Sequence, residues 1–104
     1  MTKIYNKLVR DKISDIIKAD GKKSKIRILD DREYLVELIK KLKEEADELE
    51  ENPSIEELAD IKEISIAIRE TLGIDEKELE NVRRKKAASN GRFKNKIFLE
   101  TVED

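Results

Sequence analysis

Apolar positions along the chain recur mainly at three- and four-residue steps, the spacing that lines up side chains on one face of an α-helix. The pattern, together with polar or glycine residues at its ends, predicts helices over residues 8–19, 31–51, 54–72 and 75–89. Only "NPS" separates the second helix from the third. The two are therefore predicted to form an antiparallel hairpin at the centre of the fold.

Helix boundaries are marked by capping residues. Asp31 is the predicted N-cap of the second helix, and Ser54, followed three residues later by Glu57, predicts a capping box at the start of the third. Gly73 is placed to stop the third helix and Asp75 to cap the fourth. These signals fix the predicted ends of the hairpin.

Two short segments favour extended structure instead. "IRIL" at 26–29 alternates apolar and basic residues, and "KIFL" at 96–99 is rich in β-forming side chains. Each is predicted to pair with the other. The expected fold is a single all-α domain over residues 1–104, with four helices and one short two-stranded β pairing.

Composition restricts the chemistry. The 104 residues contain no Cys and no His, which excludes disulfides, thiol or imidazole metal ligands and imidazole-based acid–base catalysis. Any catalysis must use carboxylates, Lys, Arg or a metal. The net charge of -2 is spread along the chain, so neither a nucleic-acid polymer nor a membrane is an expected partner. No leader-like or membrane-spanning apolar run is present, and the expected location is the cytoplasm.

Four acidic residues form two pairs on the predicted hairpin. Glu45 and Glu48 are three residues apart on the second helix, and Glu57 and Asp60 repeat that spacing on the third. Residues three apart are neighbours on a helix surface. Hard cations such as Mg²⁺ take oxygen ligands and keep several waters, so a few carboxylates are a suitable site.

The placement of these acids relative to the apolar stripes strengthens the metal interpretation. Glu57 and Asp60 share a helix face with isoleucines, and Glu45 lies at the edge of a leucine stripe, with Glu48 beside it. A buried carboxylate without a partner is costly, so it should be protonated, paired or bound to a cation. The alternative is that all four are surface acids that pair with nearby lysines.

The sequence "KLKEEADELEENPSIEELADIKEI" resembles the E-x-x-E and E-x-x-D signature of the all-α nucleoside triphosphate pyrophosphohydrolases of the MazG type. The flanking "YNKLVRDKI" and "VRRKKAASNGRFKNKIFLE" are similar to the ends of the phosphoribosyl-ATP pyrophosphohydrolase-like branch. The resemblance therefore covers nearly the whole chain.

The resemblance implies a homo-oligomer, a dimer or larger, that cleaves a nucleoside triphosphate to the monophosphate and pyrophosphate. It implies Mg²⁺, with Mn²⁺ as a substitute, bound by Glu45 and Glu48 of the first motif and by Glu57 and Asp60 of the second. Glu44 is the neighbouring acid of the family pattern. Either Glu45 or Glu44 is expected to accept the proton of the attacking water, and the sequence leaves that choice open.

Phosphate groups also need cationic or polar partners, and the chain has no glycine-rich phosphate loop. The expected phosphate-binding residues lie in the two family-like flanks: Asn6, Lys7, Arg10, Lys12, Lys86 and Arg92. Asn6 has a second interpretation as a cap of the first helix.

Two other functions remain open from the sequence. One is a non-enzymatic helical interaction module, in which the acids only give pairing specificity and no metal is needed. The other is a protein that binds a nucleotide through Mg²⁺ without turnover. The spacer of eight residues between Glu48 and Glu57 keeps this second alternative open, because it forces a tight turn beside the nucleotide pocket.

Overall fold

The structure, a computed structural model, describes residues 1–104 and contains four helices and no strand. The helices are α1 (Ile13–Ala19), α2 (Asp31–Glu51), α3 (Ile55–Thr71) and α4 (Glu76–Asn90). The predicted all-α class with four helices is therefore confirmed. The chain divides into two compact units, Met1–Gly73 and Ile74–Asp104.

The first unit is built around the hairpin of α2 and α3, which pack against each other as predicted. Leu38 of α2 and Ile64 of α3 are the two buried hydrophobic side chains. Glu45, two helical turns after Leu38, is buried as well. Because positions seven apart fall on the same helix face, the face of α2 that packs inward carries both the leucine and the acid.

The ends of the hairpin helices largely follow their capping signals. Ser54 Oγ accepts a hydrogen bond from the Glu57 N–H at 3.3 Å, which is one of the two hydrogen bonds of a capping box. Gly73, at φ 69°, follows the end of α3. The N-cap of α2 is Asp30, so the prediction of Asp31 was wrong by one position. Asp30 has extended backbone angles and its Oδ1 accepts from the Glu33 N–H at 2.9 Å, whereas Asp31 is already helical.

The start of α1 differs more from the prediction. The helix begins at Ile13, with Lys12 as N-cap, and residues 8–12 are not helical. Asn6 has a positive φ of 45° and lies well before α1, so its interpretation as a helix cap was wrong. In the segment before α1, Lys7 and Arg10 instead form ion pairs with acids of α2 and α3. Those contacts take the place of the predicted helical extension, which would have been only about one turn long.

The predicted β pairing was wrong. Neither 26–29 nor 96–99 is a strand. Their apolar side chains remain largely exposed, including Ile28 and Phe98. A strand is stabilised by its ladder and by a covered face, and β propensity supplies neither.

The second unit consists of α4 and the residues that follow it. Asp75 occupies the N-cap position with extended backbone angles, but its side chain makes no capping hydrogen bond. Gly91, at φ 84°, ends the helix after Asn90, close to the end that "NG" predicts. On the helix surface, Arg83 and Arg84 both pair with Glu80, whose pKa they lower to about 2.

None of the four helices combines the length and the apolar character that a membrane-spanning helix requires.

Candidate metal centre

Glu45 is the most unusual residue of the hairpin, because it is an acid that is only 6% exposed. It lies on the side of α2 that faces α3, about two helical turns before the connection between the two helices. Ionised carboxylates are rarely buried unless a cation or several donors compensate them. Its surroundings therefore decide what this part of the molecule can do.

Those surroundings are acidic. Glu44, Glu45 and Glu48 can each bring a carboxylate oxygen within 4.8 Å of the others, and so can Glu45, Glu57 and Asp60. Glu45 belongs to both groups and joins them. The structure thus brings together on α2 and α3 the four predicted metal ligands and the neighbouring Glu44, which together form what we term the acidic centre.

The acidic centre is short of compensating charge around Glu45. Burial is the main cause that raises the pKa of Glu45 to about 7, with further contributions from hydrogen bonding to Glu48 and Glu57 and from the charge of Asp60. Lys41, one turn earlier on α2, is 3.8 Å from Glu45 Oε1, at the long end of an ion pair. Buried Oε2 atoms of both Glu45 and Glu57 have no hydrogen-bond partner.

These unpartnered oxygens fit a hard divalent cation. Mg²⁺ and Mn²⁺ prefer oxygen donors, and every potential ligand here is a carboxylate. Glu57 and Asp60 are half-buried and Glu48 is exposed, so the centre is buried on one side and open on the other. A cation held here could keep water molecules or phosphate oxygens on its open side.

Two cations of the N-terminal segment contact the acidic centre. Lys7 Nζ is 3.1 Å from Glu44 Oε1, and Arg10 Nη2 is 2.5 Å from Asp60 Oδ1. The hydrogen bond to Asp60 is the main cause that raises the pKa of the Arg10 guanidinium. Two residues that we expect to bind phosphate therefore lie at the centre, where each pairs with an acid.

The remaining expected phosphate-binding residues are all exposed. Asn6 and Lys12 are exposed, and Lys12 makes no ion pair. Lys86, on α4, and Arg92, just beyond it, belong to the second unit and are exposed. Their roles stay predictions.

Sequence reasoning did not anticipate the contacts that Lys7 and Arg10 make with acids. Arg10 and Asp60 are 50 residues apart, and no local pattern pairs residues at that separation. The contact of Lys41 with Glu45, in contrast, follows from their helical spacing of four residues.

Comparison of the chain with protein-family models, with curated proteins and with solved structures gives no match. The geometry of the acidic centre and the motifs of the sequence are what support a function.

Proposed function

We propose that the acidic centre binds a divalent cation, Mg²⁺ or in its place Mn²⁺, and that the protein is a metal-dependent hydrolase of phosphoric anhydride bonds. The observation that carries the proposal is the buried Glu45, whose Oε2 has no partner although four further acids surround it. Within that class, the E-x-x-E and E-x-x-D motifs favour a MazG-type nucleoside triphosphate pyrophosphohydrolase. Its substrate would be a standard or non-standard nucleoside or deoxynucleoside triphosphate.

The metal ligands in this proposal are Glu45, Glu48, Glu57 and Asp60. Their oxygens come from two helices that pack against each other, with Leu38 and Ile64 buried, so the helices themselves need not move to hold an ion. A bound Mg²⁺ would neutralise phosphate charge and acidify a water molecule. The chain's own contribution is to hold the carboxylates together and to present cations at the open side.

In the proposed reaction, the oxygen of a water molecule forms a bond to the α-phosphorus. The bond between that phosphorus and the α,β-bridging oxygen breaks, and its electron pair leaves with pyrophosphate. One proton of the water passes to a carboxylate and then to solvent. The products are a nucleoside monophosphate and pyrophosphate.

Glu44 and Glu45 are the candidates for the proton acceptor. Glu45 is shared by both groups of acids, which favours a ligand role, whereas Glu44 is half-buried at the edge of the centre and within reach of solvent. We therefore assign the proton transfer to Glu44. Lys7 Nζ, 3.1 Å from Glu44 Oε1, would have to move away from that carboxylate before it accepts the proton.

The decisive experiment incubates the purified protein with a panel of nucleoside triphosphates and Mg²⁺ and identifies the products by phosphorus NMR. The expected products are pyrophosphate and the monophosphate. Orthophosphate with a diphosphate would contradict attack at the α-phosphorus. Nucleotide binding that depends on Mg²⁺ but gives no product would instead indicate a binding protein without turnover.

We also propose that the chain associates with copies of itself. Leu38 and Ile64 are the only buried hydrophobic side chains, which is a small core for 104 residues. Several apolar side chains of the hairpin are more than half exposed, among them Ile55 and Leu58. Burying such side chains against a second copy would add apolar area that the single chain lacks.

A further inference from the structure

The contact between Arg10 and Asp60 places a positive charge at a proposed metal ligand. Arg10 Nη2 donates to Asp60 Oδ1 at 2.5 Å and joins the N-terminal segment to α3. Three residues earlier, Lys7 makes the corresponding contact with Glu44. Each of the two groups of acids around Glu45 thus has one carboxylate that pairs with a cation of the same segment.

This pairing is incompatible with full metal coordination by Asp60. The oxygen that accepts from Arg10 already has a cationic partner, and Glu45 and Glu63 add to the field that holds the guanidinium there. A guanidinium a few ångströms from a divalent cation would be strongly repelled, because the Coulomb energy varies inversely with distance and the ion carries two charges. Arg10 and a metal ion therefore compete for the same carboxylate.

Little holds Arg10 in place besides Asp60. Its side chain is 57% exposed, and it belongs to a non-helical segment whose charged groups can move without opening the hairpin core. Exposed ion pairs contribute little to stability, so exchanging one partner for another is inexpensive. The fork of a guanidinium also matches phosphate oxygens as well as it matches a carboxylate.

We propose that Arg10 is the counter-ion of the metal-free acidic centre and that it leaves Asp60 when a divalent cation binds, after which its guanidinium binds the phosphate chain of the substrate. This inference rests on the proposed function and adds an order of events to it: the metal ion binds first, and Arg10 then binds the phosphate chain. Arg10 weakens metal binding in the absence of phosphate and strengthens phosphate binding in the presence of metal. The two ligands are thereby coupled through one side chain.

The first test measures Mn²⁺ binding without nucleotide, by electron paramagnetic resonance of the free ion, for the wild type and for Arg10→Ala. We expect the variant to bind Mn²⁺ about tenfold more tightly, as loss of a competing charge at close range predicts. Arg27→Ala is the matched control, because Arg27 makes a similar exposed ion pair with Glu33, 2.6 Å long, outside the acidic centre. Its Mn²⁺ affinity should equal that of the wild type.

A double-mutant cycle shows whether Arg10 acts through Asp60. In an Asp60→Asn background, which removes the carboxylate charge, the further change Arg10→Ala should alter Mn²⁺ affinity by less than about twofold. An equal tenfold gain in both backgrounds would show a general charge effect and would overturn the proposed exchange at Asp60.

The second test measures tripolyphosphate binding in saturating Mn²⁺ by calorimetry. Arg10→Ala should bind this probe about tenfold more weakly than the wild type, and Arg27→Ala should bind it equally well. Unchanged or weaker Mn²⁺ binding by Arg10→Ala, with helicity retained in circular dichroism, would refute the competition of Arg10 with the metal ion. It would not contradict the proposed metal centre itself. Absence of Mn²⁺ binding in the wild type and in every variant would refute the proposed function and this inference together.

Discussion

Replacing Glu45 by Gln tests the electrostatics of the acidic centre directly. The pKa of Glu45 rises from 4.5 to about 7 on folding, mainly through burial. Between these two pH values the folded chain retains a proton that the unfolded chain has lost, so the free energy of unfolding should fall as the pH rises through that window. The rise in pKa corresponds to about 3 kcal/mol, which is the cost of holding Glu45 ionised above pH 7.

Glu45→Gln keeps the shape of the side chain and its capacity to hydrogen bond, but it removes the charge. We expect the variant to be more stable than the wild type by about 3 kcal/mol at a pH of about 8 without metal, and to lose most of that advantage at a pH of about 5. Urea unfolding followed by circular dichroism measures both values. Taking the difference between variant and wild type cancels the contribution of acids that do not interact with Glu45.

Two further measurements complete this test. Glu51→Gln, an exposed acid on the same helix, should change stability by no more than about 0.5 kcal/mol at either pH. Mn²⁺ at about one hundred times its dissociation constant should stabilise the wild type by about 2.7 kcal/mol and Glu45→Gln by much less. If Glu45→Gln were less stable than the wild type at the higher pH, our account of Glu45 as a buried, uncompensated acid would be wrong.

Three other predictions concern activity, folding and assembly. Glu57→Ala or Asp60→Ala should abolish Mg²⁺-dependent pyrophosphate release while circular dichroism shows the helices retained, and full activity in either variant would contradict the ligand assignment. Ser54→Ala should lower the free energy of unfolding by about 1 kcal/mol, measured by urea titration, because the Glu57 N–H loses its partner; Ser65→Ala, on an exposed face of α3, is its control. Sedimentation velocity should show a dimer or larger species, and a purely monomeric protein at all concentrations would refute self-association.

The hairpin could be predicted from the sequence because its signals are local and agree with one another. The capping serine, the stripe that ends before Gly73 and the short "NPS" turn all indicate the same two helices, and their acids fall together once the helices are antiparallel. The acidic pairs at Glu45 and Glu57 could therefore be placed side by side without a structure.

The failures arose where the sequence signal depends on a partner elsewhere. The β propensity of residues 26–29 and 96–99 did not produce a ladder, because strand formation is decided by pairing and burial. Likewise, the apolar spacing around Leu8 predicted a helix, but the segment is held by ion pairs from Lys7 and Arg10. Charged residues separated by tens of positions leave no periodic pattern from which such contacts could be inferred.

The compactness of the acidic centre along the chain has a consequence for folding. The carboxylates of the acidic centre all lie between Glu44 and Asp60, in a short stretch of sequence that contains a single turn. Closing so small a loop costs little chain entropy, and contacts between residues near in sequence form fast. We therefore expect the hairpin to assemble among the earliest events of folding, so that a divalent cation present during synthesis can bind while the rest of the chain is still unstructured.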